Sequence, residues 1–272
     1  MREITIGQYY MADSPIHRLD PRVKLAGTFA FMLTLLFQKN FPAYVIAVLV
    51  LFIVVKMSTV PFKFIVRGLK PIAVIILFSI IVNMLFVPGE PLFKFWLFQI
   101  TREGIVMAIG LSIRLSLLIL GASVMTLTTT PNELTDGIEK AFGGLKRLGV
   151  PIHEIAMMMS IALRFIPILT EETDRIMKAQ MARGADLDSG NLIQKIKSLI
   201  PILVPLFVAA IRRAGDLAMA MEAKCYNGSV GRTKMKPLVY QKRDRFAYAI
   251  ILVYIAVMIG LAVLAPRLGF GF

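Results

Sequence analysis

The sequence is poor in the residues that redox and metal chemistry require. Its 272 residues include one cysteine, Cys225, and two histidines, His17 and His153. One cysteine cannot form an internal disulfide, and two histidines are too few for a metal site built from histidine ligands. No evident base accompanies Cys225, so the thiol is expected to pack rather than to act as a nucleophile. We therefore expect neither a metal site nor a catalytic group in this chain.

A signature for binding ATP is also missing. The sequence contains no G-x-x-x-x-G-K-[ST] motif, and the Gly143-Gly144-Leu145-Lys146 segment has neither its spacing nor the following Ser or Thr. That motif supplies the backbone donors, the Lys and the hydroxyl that hold a nucleotide phosphate and its Mg²⁺. We expect no nucleotide or other cofactor to bind to this chain.

Acidic residues are scarce, whereas apolar residues are abundant. The chain has 17 Asp and Glu against 31 Lys and Arg, a net charge of +14, and 57% hydrophobic residues. Its mean hydropathy is +0.73, and soluble domains contain roughly 45 to 50% apolar residues. A soluble enzyme is therefore not expected, and a disordered chain is excluded. The basic excess fits nucleic-acid binding or a membrane protein with cytoplasmic Lys and Arg.

The apolar residues form runs that approach the roughly 20 residues of a membrane span, which favours the membrane alternative. The first 22 residues have no apolar core of a signal peptide, so no cleavage is expected. Lys and Arg concentrate before the first run and between the second and third, which predicts a cytoplasmic N-terminus and an external C-terminus. The five runs are 23–38, 41–55, 71–87, 104–127 and 246–265, with a further segment at 88–103.

The sequence therefore predicts an all-α, multi-pass membrane protein with about five transmembrane helices. Residues 1–130 are predicted to form a membrane bundle with four spans, 131–243 helices in the cytoplasm or at the inner membrane surface, and 244–272 the last span. Turn residues divide the middle segment into three helices. They begin at Pro131, near Ile152, and after Pro201 or Pro205.

Arg114 is the one full charge inside the runs beyond their first residues. A charge at the bilayer centre costs about 2.5 to 3.5 kcal/mol on insertion scales, so Arg114 should face protein. Two interpretations are equally weighted. Arg114 makes a polar contact, for example with Asn83 of the third run, or it is packed and satisfied by backbone carbonyls.

The last helix of the middle segment has an apolar stripe, and the helix before it has a similar one. Small side chains at Ala210, Ala214 and Ala218 form a row along the last helix, where another helix could approach closely. Periodicity fits an ordinary antiparallel hairpin and a pair of crossed rods that transmit force equally well. Both interpretations stay open.

The last two of these helices end alike, in Ala182-Arg183-Gly184 and in Ala223-Lys224-Cys225. A cation in a last turn is favoured by the helix dipole by about 0.3 to 1 kcal/mol, and Gly is a common C-terminal cap. Capping alone explains either end. The repetition on neighbouring helices favours a paired docking surface instead.

Four motifs are spread over nearly the whole chain: Ser14-Pro15-Ile16-His17-Arg18-Leu19-Asp20-Pro21-Arg22-Val23-Lys24, Arg164-Phe165-Ile166-Pro167, Ala-Gln-x-Ala-Arg-Gly at 179–184, and Ala220-Met221-Glu222-Ala223. Together they resemble the transmembrane T component of energy-coupling factor transporters. That resemblance implies an L-shaped scaffold with long cytoplasmic coupling helices, whose tips insert into two ABC-type ATPases that bind ATP and Mg. Arg183 matches the first family arginine, whereas Lys224 and Cys225 depart from the usual Arg and Gly.

The resemblance implies a non-catalytic subunit of a bacterial or archaeal cell membrane, coupling ATP hydrolysis by its partners to release of substrate by a membrane-embedded S component. Arg114 then has that S component as another possible contact. The substrate is expected to be a vitamin, although the S component selects it. One alternative is the T subunit of a dedicated cobalt or nickel importer. An alternative of another class is a membrane-embedded enzyme acting on lipid, which requires clustered acids or histidines that the sequence does not show.

Overall fold

The computed structural model describes residues 9–38, 40–89, 91–95, 98–185, 192–228 and 238–264. It divides into two compact units, Met1–Gly137 with Leu238–Phe272, and Ile138–Pro237. Helices dominate the described residues, which confirms the predicted fold class. The helices are α1 Pro21–Phe37, α2 Phe41–Ser58, α3 Phe62–Arg67, α4 Ala73–Phe86, α5 Arg102–Thr128, α6 Pro131–Ala141, α7 Ile152–Ala182, α8 Leu192–Ala223 and α9 Lys242–Leu264, with a 3₁₀ turn at Gly143–Leu148.

A short antiparallel hairpin interrupts the helices between α4 and α5. Its strands are β1, Pro91–Phe95, and β2, Phe98–Thr101. The apolar segment at 88–103 is therefore a connection and not a span. Strands of four and five residues are too short to cross a bilayer, since a transmembrane strand needs about 9 to 11.

Several helix starts follow from local side-chain chemistry. Asp20 caps α1 by accepting from the backbone N–H of Arg22 at 2.9 Å, and Pro21 needs no partner in the first turn. Thr101 caps α5 by accepting from Gly104 N–H. Thr130 and Glu133 form a capping box at α6, each side chain accepting from the other's backbone N–H at 3.3 Å.

Contacts within the first unit fix the relative direction of its helices. Three hydrogen bonds join α1 and its flanking residues to α9: Asp20 bonds to Asp244, Thr34 to Tyr254, and Asn40 to Leu261. Because the residue numbers rise together, α1 and α9 run parallel. Lys24 of α1 donates a hydrogen bond to Thr128 at the end of α5, and Phe31 of α1 lies beside Gly121 of α5. The residue numbers rise on α1 as they fall on α5, so these two helices run antiparallel. A hydrophobic core lies between α1, α2, α3 and α5, and includes Phe31, Leu35, Tyr44, Ala47, Leu51, Val60, Ile65, Leu117, Val124 and Leu127.

Five helical segments among the described residues are long and apolar enough to cross a membrane, namely α2, α5, α7, residues 197–223 of α8, and α9. This set differs from the predicted one. The first and third predicted spans form helices of 17 and 14 residues, while α7 and α8 were assigned to the middle segment. The difference arises because α7 and α8 combine long apolar stretches with charged ones.

The start of α8 was predicted too late. The helix begins at Leu192 and continues through Pro201 and Pro205, the two residues after which the sequence predicts its start. A proline inside a helix removes one backbone hydrogen bond and strains the preceding turn, so the sequence favoured a boundary there. The surrounding apolar residues carry the helix across both positions.

Candidate functional site

Helices α7 and α8 form an antiparallel pair in the second unit. Near the end of α7, Gln180 Nε2 donates to the carbonyl oxygen of Pro201 on α8 at 3.2 Å. Further back along α7, Glu172 pairs with Arg213, with 3.7 Å between Oε2 and Nη2. The residue numbers fall on α7 as they rise on α8, so the C-terminal ends of the two helices point in opposite directions.

The contact at Pro201 has a local cause. Residue 205 is also a proline, which has no N–H to donate to the carbonyl four residues earlier. The carbonyl of Pro201 is thereby left without its helical partner, and Gln180 supplies a donor from the neighbouring helix. Gln180 stands in the motif that precedes Arg183, but its side-chain role was not predicted, because the motif alone does not show which carbonyl lies opposite.

The predicted alanine row does not face α7. Ala210 is half-buried, whereas Ala214 and Ala218 are exposed, together with Phe207 and Ile211 of the same predicted stripe. The less exposed face of α8 includes Arg213, the residue that reaches α7, and runs through Ile202, Leu206, Ala209, Arg213 and Leu217. Because α8 is apolar on more than one face, the period of three and four did not single out the contacting one.

The end of α7 is a complete Schellman motif. Gly184 has φ +86°, and its N–H donates to the Met181 carbonyl at 3.0 Å. The N–H of Ala185 reaches back to the carbonyl of Gln180, also at 3.0 Å. These two bonds define the motif, which requires a left-handed residue after the helix. Arg183 is thus the last residue before the chain turns away.

The end of α8 repeats this geometry with a different residue at the turn. Cys225 has φ +56°, and its N–H donates to the backbone carbonyl of Glu222 at 2.8 Å. The N–H of Tyr226 donates to the backbone carbonyl of Met221 at 3.0 Å. Lys224 therefore occupies the place that Arg183 has in α7. The two predicted docking motifs share one backbone conformation, although Cys225 carries a β-carbon where glycine would carry none.

The two helix ends, Ala182-Arg183-Gly184 and Ala223-Lys224-Cys225, are called the tips below, and both are exposed. The six residues of the two motifs are exposed, and neither Arg183 nor Lys224 pairs with an acidic side chain in the described part of the chain. Each lies about 16 Å along its helix beyond the Glu172–Arg213 pair, at a rise of about 1.5 Å per residue. The two cations therefore occupy opposite ends of the α7–α8 pair.

Arg114 finds its partners inside the first unit. Its Nε donates to the Tyr44 hydroxyl at 3.0 Å, and its Nη2 donates to the same hydroxyl and to the carbonyl of Gln38. Asn83 instead donates to Ser79 within its own helix. The suggested Arg114–Asn83 contact is not formed, because the turn between α1 and α2 brings acceptors to the guanidinium first. Satisfaction by a backbone carbonyl, the other interpretation, agrees with these contacts.

Hydrogen bonds from the N-terminal motif link the start of α1 to the end of α5 and to the start of α9. Lys24 Nζ donates to the carbonyl oxygens of His17 and Thr128, at 3.0 and 2.8 Å, and the latter is the last residue of α5. The buried carboxylate of Asp244, at the start of α9, accepts from Asp20 N–H at 3.0 Å. The sequence places Lys24 in the N-terminal motif but does not predict its partners, and Asp244 gives no signal, since a local pattern does not reveal partners more than 200 residues away.

The two histidines each have partners within the chain. His17 Nδ1 lies 2.7 Å from Ser14 Oγ, and its Nε2 lies 3.1 Å from the Tyr10 carbonyl oxygen. Burial and the nearby Lys24 ammonium hold the pKa of His17 below its usual value. His153 pairs with Glu139 at 2.9 Å. Each histidine is therefore held by groups of its own unit.

Comparison with known proteins gives consistent matches over nearly the full length. The family model described as "Cobalt transport protein" (CbiQ) matches residues 12–236. Proteins named "Energy-coupling factor transporter transmembrane protein EcfT" from Clostridium kluyveri and Bacillus subtilis are 51% and 45% identical to this chain. The first alignment covers 95% of this chain and 97% of the relative, and the second covers 95% and 98%. A relative of the same name from Ruminiclostridium cellulolyticum is 50% identical, over 93% and 95%.

Proposed function

This chain belongs to the family of energy-coupling factor transporter transmembrane proteins, and we propose that it couples two partner ABC-type ATPases to a membrane-embedded S component. In this proposal the chain performs no chemistry. ATP and Mg bind to the partner ATPases, and the S component carries the substrate. The family resemblance and the exposed helix tips support this division of roles.

One observation carries the proposal. The chain presents two exposed cations, Arg183 and Lys224, each held at the end of a long helix by the same Schellman geometry. A cap alone does not require the tips to project at opposite ends of one helix pair. Two separated, similarly shaped tips suit two similar partners. Each ATPase would then receive one helix end.

The tips differ in how they would grip an acidic groove. Arginine offers a planar fork of donors that can hold a carboxylate at two points, whereas lysine offers one hydrated charge on a flexible stem. We therefore assign the stronger contact to Arg183. Breaking one partner of a buried charge pair at an interface costs about 2 to 5 kcal/mol.

We place both tips on the cytoplasmic side, with the N-terminus, and the C-terminus outside. The contacts of the first unit support this arrangement, because α1 and α9 run parallel and the end of α5 lies beside the start of α1. The charged half of α7, from Glu171 to Lys178, is costly in hydrocarbon. We therefore place this part of α7 at the inner membrane surface.

In the proposed cycle, ATP binding closes the two ATPases and moves the tips. Gln180 and the Glu172–Arg213 pair hold α7 and α8 together, so the displacement of one tip reaches the other helix. The membrane bundle then reorients the S component, which releases its substrate inside. We propose a vitamin as that substrate. An S component that co-purifies with the chain and binds cobalt or nickel instead would replace this part of the proposal.

The docking step is tested with tip variants of the full chain expressed together with its ATPases and S component. Arg183→Ala should reduce ATPase co-purification and ATP-driven uptake strongly, and Arg183→Lys should restore only part of both. Lys224→Arg should be tolerated, and Lys224→Glu should fail by like-charge repulsion. Arg175→Ala is the matched control, since it removes another exposed arginine of α7 away from the tip.

The capping interpretation predicts different results. Loss of a dipole contact costs at most about 1 kcal/mol and would leave the partners bound. Full co-purification and full uptake in the combined Arg183→Ala, Lys224→Ala variant would contradict the docking proposal.

A further inference from the structure

A basic stripe lies on the segment that joins α2 to α4. The side chains of Lys63, Arg67 and Lys70 are all exposed. Positions 63 and 67 are one helical turn apart in α3. After Arg67 the backbone continues in tighter turns, with Lys70 N–H donating to the Arg67 carbonyl at 3.2 Å. Such i to i+3 bonds bring position 70 back over position 67, so the three cations share one side.

The opposite side of the same segment is fixed to the protein. Ile65 is fully buried and belongs to the hydrophobic core with Val60 and Leu127. At 100° per residue, position 65 points about 160° away from position 67. The stripe of Lys63, Arg67 and Lys70 therefore faces outward, because Ile65 on the opposite side of α3 packs into the hydrophobic core.

The stripe has aromatic flanks and no acidic partners. Phe62 is 63% exposed and Phe64 is 38% exposed, on either side of the cations. The Arg67 guanidinium carbon lies 5.3 Å from the Phe64 ring centroid. The sequence from 56 to 73 contains no Asp or Glu. Within the described residues, none of the three cations forms a salt bridge.

We propose that the stripe of Lys63, Arg67 and Lys70 binds the headgroup phosphates of anionic phospholipids. The segment connects α2, an 18-residue apolar helix, to the apolar helix α4, so it lies where the chain leaves hydrocarbon. Cations beside a transmembrane helix are attracted to anionic lipid, and exposed Phe side chains of a helix at the membrane surface insert at the boundary between headgroups and acyl chains. Charge, location and flanking rings together favour a lipid surface over an acidic protein.

The binding test uses the purified full chain in detergent and native mass spectrometry with added phosphatidylglycerol or phosphatidylcholine. Phosphatidylglycerol should bind in preference to phosphatidylcholine. The Lys63→Gln, Arg67→Gln, Lys70→Gln variant should need at least about tenfold more phosphatidylglycerol for half occupancy, because each cation near an anionic surface contributes substantially. A charge-conserving Lys63→Arg, Arg67→Lys, Lys70→Arg variant should retain binding, which separates loss of charge from loss of folding.

The matched control removes the same charge from another exposed basic cluster, as Lys242→Gln, Arg243→Gln, Arg245→Gln at the start of α9. Those three positions spread around the helix, so phosphatidylglycerol binding should change less than about twofold. Equal losses in both variants would reveal general attraction to net charge and overturn the proposal. Equal binding of phosphatidylcholine, or complete displacement by inorganic phosphate, would also overturn it. Unchanged phosphatidylglycerol binding by the Lys63→Gln, Arg67→Gln, Lys70→Gln variant would overturn it too, and a loss of ATPases when that variant is expressed with its partners would assign the stripe to an acidic protein surface instead.

Discussion

The two units of this molecule keep their shapes in different ways. Among the described residues, buried hydrophobic side chains lie almost entirely in the first unit, and the second contributes Ala156 and Ile202. The first unit also joins distant segments through buried polar contacts, such as Asp20 with Asp244. Large apolar side chains are exposed in both units, for example Phe37 and Phe78 in the first and Phe207 and Ile211 in α8. What distinguishes the first unit is its buried interior, of which the helix pair has little.

The interior cations of the first unit differ from the cations at the helix ends of the second. Lys24 and Arg114 of the first unit donate to carbonyl and hydroxyl oxygens inside the chain. Arg183 and Lys224 of the second unit project without an acidic partner among the described residues. A buried basic residue that donates to carbonyl oxygens of its own chain stabilises the fold. An exposed basic residue at the end of a long helix is available to bind another molecule.

The largest expected effect on stability comes from the contact that ties α1 to α9. Asp244 is 1% exposed and accepts from Asp20 N–H at 3.0 Å and from Gln241 N–H at 2.8 Å. Asp244→Ala leaves both donors without this acceptor and should reduce the free energy of unfolding by about 3 kcal/mol. Thermal unfolding of the detergent-purified chain, followed by circular dichroism, measures the loss.

The matched change in the second unit is Asp216→Ala, which removes an exposed aspartate from α8. It should alter the unfolding free energy by less than about 0.5 kcal/mol. Equal effects of the two variants would break the contrast between an internally tied unit and an open helix pair.

The second prediction sharpens the contrast within α8. Ala209 is half-buried on the face that includes Arg213, whereas Ala214 is exposed on the predicted alanine row. Ala209→Leu overpacks the contact with α7 and should cost about 1 to 3 kcal/mol. Ala214→Leu should leave the stability of the purified chain within about 0.5 kcal/mol. The same thermal unfolding measurement distinguishes them, and a larger loss from Ala214→Leu would show that the alanine row is the contact after all.

Uptake assays give Ala214→Leu a second readout. If a partner covers the alanine row in the assembled transporter, the variant should retain ATPase activity and lose uptake while the purified chain stays stable. Unchanged uptake would leave the row facing lipid or solvent.

Sequence reasoning found the helix ends and missed the long-range contacts, for physical reasons. Arg183 and Lys224 were located because caps and breakers act over a few residues, and the structure ends α7 and α8 immediately before them. Pro201 misplaced the start of α8, since propensity there is outweighed by the apolar residues around it. The partners of Arg114 and Asp244 depend on which distant segments meet. That information is absent from the period of a single helix.

The third prediction compares the two helix ends directly. A left-handed conformation costs a residue with a β-carbon about 1 to 2 kcal/mol, and Cys225 bears this cost at φ +56°. Cys225→Gly should stabilise the end of α8 by about 0.5 kcal/mol, because the freedom of glycine in the unfolded chain offsets part of the gain. Gly184→Ala should destabilise the end of α7 by about 1 kcal/mol. Hydrogen exchange at Ala185 and Tyr226 measures the two ends separately, and destabilisation by Cys225→Gly would show that the thiol makes a compensating contact.

The smallest effect concerns pH and returns to the N-terminal motif of the first unit. Because the Tyr10 carbonyl can only accept, His17 donates from Nε2, and its Nδ1 accepts from the Ser14 hydroxyl in the neutral ring. Burial and the Lys24 ammonium lower the pKa of His17 in the folded chain. As pH falls below about 6.5, the unfolded chain takes up a proton at this residue before the folded chain does. The free energy of unfolding should therefore decrease from that pH down to the folded pKa, and the contribution of His17 should be fully present at neutral pH.

His17→Gln should flatten this part of the pH profile, whereas His153→Gln, which removes the histidine of the second unit, should leave it in place. An unaltered profile in His17→Gln would mean that other groups produce the acid sensitivity of the first unit.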